Sequence, residues 1–206
     1  ANERVVPLSH RIAELADTLR SVGATIVHAP SDTMAYYKGH PARKRALSTT
    51  QHDLPPAKEL PDPPLPIDDS DGGSDSNEGD ELVHKRTWTC QIDTIGIDQD
   101  RDYISDSGAE IYSIFKETGL KWLLLCGVHT NMCILDRSFG IKNMVSRGIP
   151  IVLLRDLTDS MYNPAVPPYV DHDRGTELVI SYIEKFWCPT TEAGHLLYST
   201  TNPDRC

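Results

Sequence analysis

Cys133 is the residue whose type and position most directly offer chemistry. It follows the apolar segment Lys121 to Gly127 (KWLLLCG), which has the composition of a buried parallel strand, and it falls in the first turn of a predicted helix from about Asn131 to Arg147. Unpaired N–H groups and the helix dipole favour an anion there, so the thiol is expected to be nucleophilic. Thr130 is the expected N-cap of this helix. The alternative is a small buried thiol, the ordinary role of an intracellular cysteine.

The elements around this cysteine alternate between helices and strands. Apolar residues recur with a helical period from Val5 to Val22, and the β-branched run Ala24 to Ala29 predicts a strand. Further strands are predicted at Gln91 to Ile97 and Ile149 to Leu154, and further helices at Ala109 to Glu117 and Thr176 to Phe186. This order predicts an α/β fold with a Rossmann-like, doubly wound parallel sheet flanked by helices. In such sheets the active site lies at the carboxyl ends of the strands, where Cys133 is placed.

The length of 206 residues fits one domain, which we assign to residues 1–188. Residues 53–85 are expected to form a mobile insertion, because their core is rich in Pro, Asp, Glu, Ser and Gly and has little to bury. Residues 189–206 carry no clear pattern and are expected to form a C-terminal tail.

Composition excludes several classes of partner. The net charge of -10 argues against nucleic acid, which requires clustered Lys and Arg, and no apolar run is long enough to span a membrane. Five cysteines without a CxxC pair suggest neither a disulfide scaffold nor a zinc ribbon. We therefore expect a soluble, cytoplasmic protein that acts on a small molecule and needs no cofactor or metal.

The segment from Gly127 to Cys133 (GVHTNMC) resembles the G-x-x-T-x-x-C signature of isochorismatase-like cysteine hydrolases, which include nicotinamidases, carbamoylsarcosine amidases and isochorismatases. The similarity covers the first helix, the strand after it and most of residues 91–163. It implies a Rossmann-like hydrolase core with a Cys-Asp-Lys triad and a thioester intermediate on the cysteine. It further implies a cis peptide bond between Val128 and His129, an oxyanion hole made by the backbone N–H groups of His129 and Cys133, and self-association into a homo-oligomer.

The sequence departs from this family pattern at two members of the triad. The family Asp ends a strand that precedes the first helix, and this sequence begins at that helix, so the first strand is missing and its neighbours should have unpaired apolar edges. The family Lys corresponds to the segment Asp100-Arg101-Asp102, where Arg101 is the possible substitute. A guanidinium supplies positive charge but cannot exchange a proton as lysine can.

Other polar residues admit plainer roles. His28, Asp32 and His40 differ in spacing from the metal site of nicotinamidases, so we expect hydrogen-bonded or solvent-facing histidines and no metal. The His129 side chain could orient a substrate or fill space. Asp156 could line the pocket or cap the following turn.

Two functions remain open. One is hydrolysis of a C–N bond in a small amide, with Cys133 as the nucleophile. The other is a non-catalytic relative that keeps the fold and a ligand pocket, since a fold does not fix a function. Vinyl ether hydrolysis, as in isochorismatases, is disfavoured because some members that perform it lack the cysteine.

Overall fold

A computed structural model describes residues 2–70, 72 and 88–201 of the chain. Its α-helices are α1 (Asn2–Ser21), α2 (Pro41–Ser48), α3 (Gly108–Glu117), α4 (Ile141–Val145), α5 (His172–Phe186) and α6 (Ala193–Thr201). Its strands are β1 (Val27–His28), β2 (Tyr103–Ile104), β3 (Leu123–Val128), β4 (Ile151–Asp159) and β5 (Thr190–Thr191). A π-helix, Thr130–Ile134, lies between β3 and α4.

The strands form two parallel sheets with helices on both faces. β1 pairs with β2, and the second sheet has the order β3-β4-β5. Alternate residues of β4 point to opposite faces: Leu153 packs in the core cluster with residues of α3 and α5, whereas Leu154 packs with Leu15 of α1 and Ala193 of α6. This arrangement confirms the predicted α/β architecture with a doubly wound parallel sheet.

The two sheets are not joined to each other by strand pairing in the described part of the chain. Among the described residues, β1 pairs only with β2 and β3 pairs only with β4, so each has one unpaired edge. Leu124 of β3 is 39% exposed, although the apolar sequence of this strand is typical of burial on both faces.

The predicted strand at Gln91 to Ile97 is wrong, because this segment forms turns. The backbone N–H of Gln91 donates to the Tyr37 hydroxyl at 2.8 Å, and its side-chain amide donates to the Ile95 carbonyl at 2.8 Å. The backbone and side-chain N–H groups of Gln91 are thus hydrogen-bonded within the loop and to Tyr37, and not to a neighbouring strand. The strand that pairs with β1 is β2, which follows this loop.

The predicted continuous helix from Asn131 to Arg147 is also wrong. The π-helix ends at Ile134 and α4 begins only at Ile141. The bend between them packs on the start of α3, where the Gly108 N–H donates to Ser138 Oγ at 2.9 Å. A Cβ on Gly108 would lie 2.1 Å from the Ser138 carbonyl oxygen, so only glycine allows this approach.

Residues 190–201 form β5 and α6 instead of the expected tail. The Leu153 N–H donates to the Pro189 carbonyl at 3.1 Å, and the Ala193 N–H donates to Asp156 Oδ1 at 2.9 Å. Asp156 thus accepts a bond from the first residue of α6, and not from the turn that follows its own strand position, which was the role considered for it. The local sequence pattern did not indicate β5 or α6, because both elements are held by contacts with the distant strand β4.

The first part of the predicted mobile insertion has defined contacts. Residues 53–70 contain no helix or strand, yet Ile67 is buried in the main core cluster. The Lys58 N–H donates to the Ser146 carbonyl at 2.8 Å, and Arg147 donates to the Pro55 carbonyl at 2.6 Å. The rest of the insertion, at 71 and 73–85, lies outside the described residues.

Candidate active site

Cys133 lies on the turn that leaves the carboxyl end of β3. Gly127, near the end of this strand, has a φ of +112°, a conformation that L side chains rarely adopt. The peptide bond between Val128 and His129, at the end of the strand, is cis, which is the isomer that the resemblance implies. His129, rather than the expected Thr130, is the N-cap of the π-helix, and Cys133 within that helix is partly exposed.

Two buried residues of the G-x-x-T-x-x-C segment fasten this turn to β4 and the loop after it. Thr130 Oγ1 lies 2.7 Å from Thr158 Oγ1, and the Thr158 hydroxyl donates to the Gly127 carbonyl at 2.9 Å. The Asn131 amide donates to the Met161 carbonyl at 3.1 Å and accepts from the Met161 N–H at 2.8 Å. The motif therefore has a structural function, which is to fix the backbone around Cys133.

Asp69, within the insertion, contacts this turn directly. Its Oδ2 accepts a hydrogen bond of 3.1 Å from the Asn131 amide. Trp88 follows the insertion in the sequence, and its indole donates to the Ser31 carbonyl at 3.0 Å.

Arg137 follows Cys133 by four residues and forms an ion pair with Asp32. Its Nη2 donates to Asp32 Oδ2 at 2.6 Å, and its Nη1 lies 3.4 Å from Asp32 Oδ1. The hydrogen bond with Asp32 raises the pKa of Arg137, partial burial opposes this, and the Cys133 thiol raises it further.

Sequence reasoning selected Arg101, not Arg137, as the replacement for the family lysine. Arg101 precedes β2 and its Nε donates to Asp98 Oδ2 at 2.8 Å, with 61% of its side chain exposed. Within the described part of the chain, its side-chain contacts are with that turn. The pairing of Arg137 with Asp32 had no local signal in the sequence, because the two residues are more than a hundred positions apart.

A second charged cluster lies beside the same turn, at the end of β4. Asp159 is the register partner of Val128, so its carboxylate is next to the strand end that leads to His129. It accepts hydrogen bonds from Arg4 Nε at 3.2 Å and interacts with His172 Nε2 at 3.2 Å. The Nδ1 atom of His172 is buried without a hydrogen-bond partner in the described part of the chain. This cluster borders an open groove between α1 and β4.

The His129 side chain is part of this environment. Burial lowers the pKa of His129, the Asp159 carboxylate opposes this change, and the neighbouring His172 adds to it. The imidazole is therefore held in its neutral form near neutral pH. A neutral ring can donate or accept one hydrogen bond, which leaves both of the roles considered for His129 open.

The residues compared with a nicotinamidase metal site are each engaged elsewhere. His28 Nε2 interacts with Asp102 Oδ2 at 2.9 Å, Asp32 binds Arg137, and His40 Nδ1 accepts from the Ala42 N–H at 3.2 Å as the N-cap of α2. Across the part of the chain that the structure describes, no group of three His, Cys, Asp or Glu side chains could hold a metal ion. None of the described helices has the length and hydropathy to cross a membrane.

Comparison with known proteins gives structural matches only. No family model and no curated protein matches the sequence. A cysteine hydrolase from Pseudomonas syringae pv. phaseolicola superposes with a TM-score of 0.57 and 14% identity, over 96% of this chain and 82% of that one. A protein assigned as an isochorismatase from Burkholderia xenovorans gives a TM-score of 0.55 and 13% identity, over 96% of this chain and 76% of that one.

The chain has the isochorismatase-like hydrolase fold. The match extends over nearly the whole chain, and it agrees with the parallel sheets and the flanking helices described above. In this fold, as in other open α/β sheets, the carboxyl ends of the strands form the site for chemistry. Cys133, Arg137, Asp159 and His129 all lie beyond or at the carboxyl ends of β3 and β4.

Proposed function

We propose that this protein is a cysteine hydrolase that cleaves a C–N bond of a small amide through a thioester on Cys133. The observation that carries the proposal is the position of Cys133: it is partly exposed and lies on a hydrogen-bonded turn at the carboxyl end of β3. The similarity in fold to a solved cysteine hydrolase supports the same assignment.

The proposed reaction has two stages. The Cys133 thiolate attacks the amide carbonyl carbon, and the electron pair of the C=O bond moves to oxygen, where the backbone N–H groups of His129 and Cys133 are the proposed donors. Collapse of this intermediate breaks the C–N bond and expels the amine, which takes up a proton. Water then attacks the thioester, which releases the carboxylic acid, restores the thiolate and returns one proton to solvent, balancing the proton that the amine took up.

A non-catalytic role is the second candidate. It is favoured by the guanidinium of Arg137, which stays protonated and cannot carry a proton between thiol and amine as lysine can. A protein of this kind would bind a small amide in the groove beside β4 and return it unchanged. Calorimetry that detects binding of a small amide, together with an assay that detects no released amine, would favour this candidate.

Amide turnover by matched variants tests the proposal. The full chain is incubated with a panel of small primary amides, and released ammonia is measured for the unaltered protein, Cys133→Ala and Cys90→Ala. Cys90 is the matched control, because it is also a partly exposed free thiol. We expect turnover that is lost in Cys133→Ala and kept in Cys90→Ala. Equal turnover in both variants would contradict the proposal.

A further inference from the structure

We propose that Asp69, in the insertion, is a positioning residue of this site: its carboxylate holds the Asn131 amide and, through it, the turn that carries Cys133. The inference rests on the proposed function. Asp69 Oδ2 accepts a hydrogen bond of 3.1 Å from Asn131 Nδ2, and Asn131 lies two residues before Cys133 in the π-helix. Asp69 therefore acts on Cys133 through Asn131.

The Asn131 amide is buried and uses all of its hydrogen-bonding groups. Its residue is 2% exposed. Its Oδ1 accepts from the Met161 N–H at 2.8 Å, and its Nδ2 donates to the Met161 carbonyl at 3.1 Å as well as to Asp69. A primary amide has two N–H hydrogens, and these two acceptors use both. Because a buried donor without a partner is costly, loss of the Asp69 acceptor would make the amide and its turn shift.

The segment around Asp69 holds the carboxylate in place. Ile67 is 6% exposed and packs in the main core cluster. The Asp68 N–H donates to the Pro167 carbonyl at 2.9 Å, and the Asp68 carboxylate accepts from the Ser70 N–H at 2.9 Å. Asp69 thus lies between two neighbours that are themselves hydrogen-bonded, which makes it a fixed acceptor.

The Asp69 contact adds a third attachment to the turn. Thr130 joins the turn to β4 through Thr158, and Asn131 joins it to the loop after β4 through Met161. Asp69 joins it to a different segment of the chain, the insertion. The proposed oxyanion donors, the backbone N–H groups of His129 and Cys133, lie on either side of Asn131, so a shift of Asn131 moves both of them.

Two reactions of the same thiol separate positioning from simple exposure. Acylation by p-nitrophenyl acetate forms an oxyanion and needs the backbone donors, whereas alkylation by iodoacetamide displaces iodide and does not. The full chain is treated with each reagent at fixed pH, and mass spectrometry follows the Cys133 peptide. The ratio of its acylation rate to its alkylation rate corrects for folding and for access to the thiol.

We expect Asp69→Ala to lower this ratio roughly tenfold, as expected when reacting groups are misplaced by a fraction of an ångström. Asp69→Leu, which has a similar shape without an acceptor, is a second variant and should give the same loss. Asp69→Asn keeps an acceptor oxygen at the same position along the side chain and should retain most of the ratio. Circular dichroism confirms that each variant is folded.

Asp68→Ala is the matched control, because the Asp68 carboxylate accepts from Ser70 within its own turn. We expect it to leave the ratio unchanged. An unchanged ratio in Asp69→Ala and Asp69→Leu, or an equal loss in Asp69→Asn, would overturn this inference and leave the proposed function standing. Failure of the unaltered chain to acylate Cys133 would overturn both.

Discussion

The guanidinium of Arg20 binds the buried carboxylate of Asp102 through two hydrogen bonds, of 3.0 Å from Nε and 2.8 Å from Nη2. The two side chains are 7% and 1% exposed. His28 Nε2 and the Asp98 N–H complete the surroundings of this carboxylate, at 2.9 Å and 2.8 Å. The network joins the end of α1 to β1 and to the turn before β2, and so holds these three segments together.

Replacing Asp102 should destabilise the fold strongly. Asp102→Ala removes the buried partner of the Arg20 guanidinium and leaves it only the exposed Asp17 carboxylate, and breaking a buried pair in this way costs about 3–5 kcal/mol. Urea denaturation followed by circular dichroism gives the free energy of unfolding. Asp100→Ala, at an exposed position in the same turn, is the control and should change it little. Equal losses in the two variants would show that the network does not stabilise the fold.

The Asp102 carboxylate should also make the free energy of unfolding depend on pH. Burial alone would raise the pKa of Asp102, but the hydrogen bonds from His28, Arg20 and the Asp98 N–H outweigh it and hold the pKa far below the ordinary carboxyl range. A lowered folded-state pKa stabilises the protein fully above the unfolded value of about 4. This contribution is lost as the pH falls from there toward the folded-state pKa.

We therefore expect the free energy of unfolding to decrease on acidification below about pH 4, and to decrease less steeply in Asp102→Asn. Urea midpoints measured at a series of pH values test this. Parallel curves for the two proteins would contradict the assignment of this pH dependence to Asp102.

Gly108→Ala should disturb the bend beside the candidate site. The added methyl group would overlap the Ser138 backbone, so either α3 or the bend must shift, at a cost of about 1–3 kcal/mol. Gly39→Ala is the matched control because its Cβ would meet open space. Thermal unfolding of both variants measures the difference, and a Gly108→Ala melting temperature equal to that of Gly39→Ala would show that the close approach is not required.

The thiols of Cys126, which is partly exposed, and Cys188, which is buried, should react slowly in the folded protein. Burial, with a smaller contribution from the Asp156 carboxylate, raises the pKa of Cys126 to about 11. Burial also raises the pKa of Cys188 to about 11, with a hydrogen bond from the Leu153 backbone opposing it. Near pH 8 both thiols are protonated, so iodoacetamide should label them only after unfolding in denaturant. Labelling of either peptide at the native Cys133 rate would contradict this.

The sequence predicts the elements that depend on local pattern. α1, β3, β4 and α5 have continuous apolar stripes or runs, and each lies where its pattern predicts. The placement of Cys133 after a buried strand follows from the same pattern. These predictions succeed because burial of an apolar face decides the structure of a long, periodic segment.

The elements that sequence reasoning missed depend on distant partners. The helical period continues through Ser138, but close packing of that bend on Gly108 ends the helix. β5 pairs with β4 over two residues, which no local pattern could signal. The pairing of Arg137 with Asp32 joins residues more than a hundred positions apart, so the sequence pointed instead to Arg101.

Covalent trapping of an acyl group tests the central claim most directly. The full chain is mixed with p-nitrophenyl acetate, quenched in acid and digested, and the acetylated residues are identified by mass spectrometry. We expect an acetyl thioester on Cys133 that forms first and then decays as water attacks it. Acetylation spread over Cys90 and surface lysines, with Cys133 unmodified, would show that Cys133 is not the nucleophile.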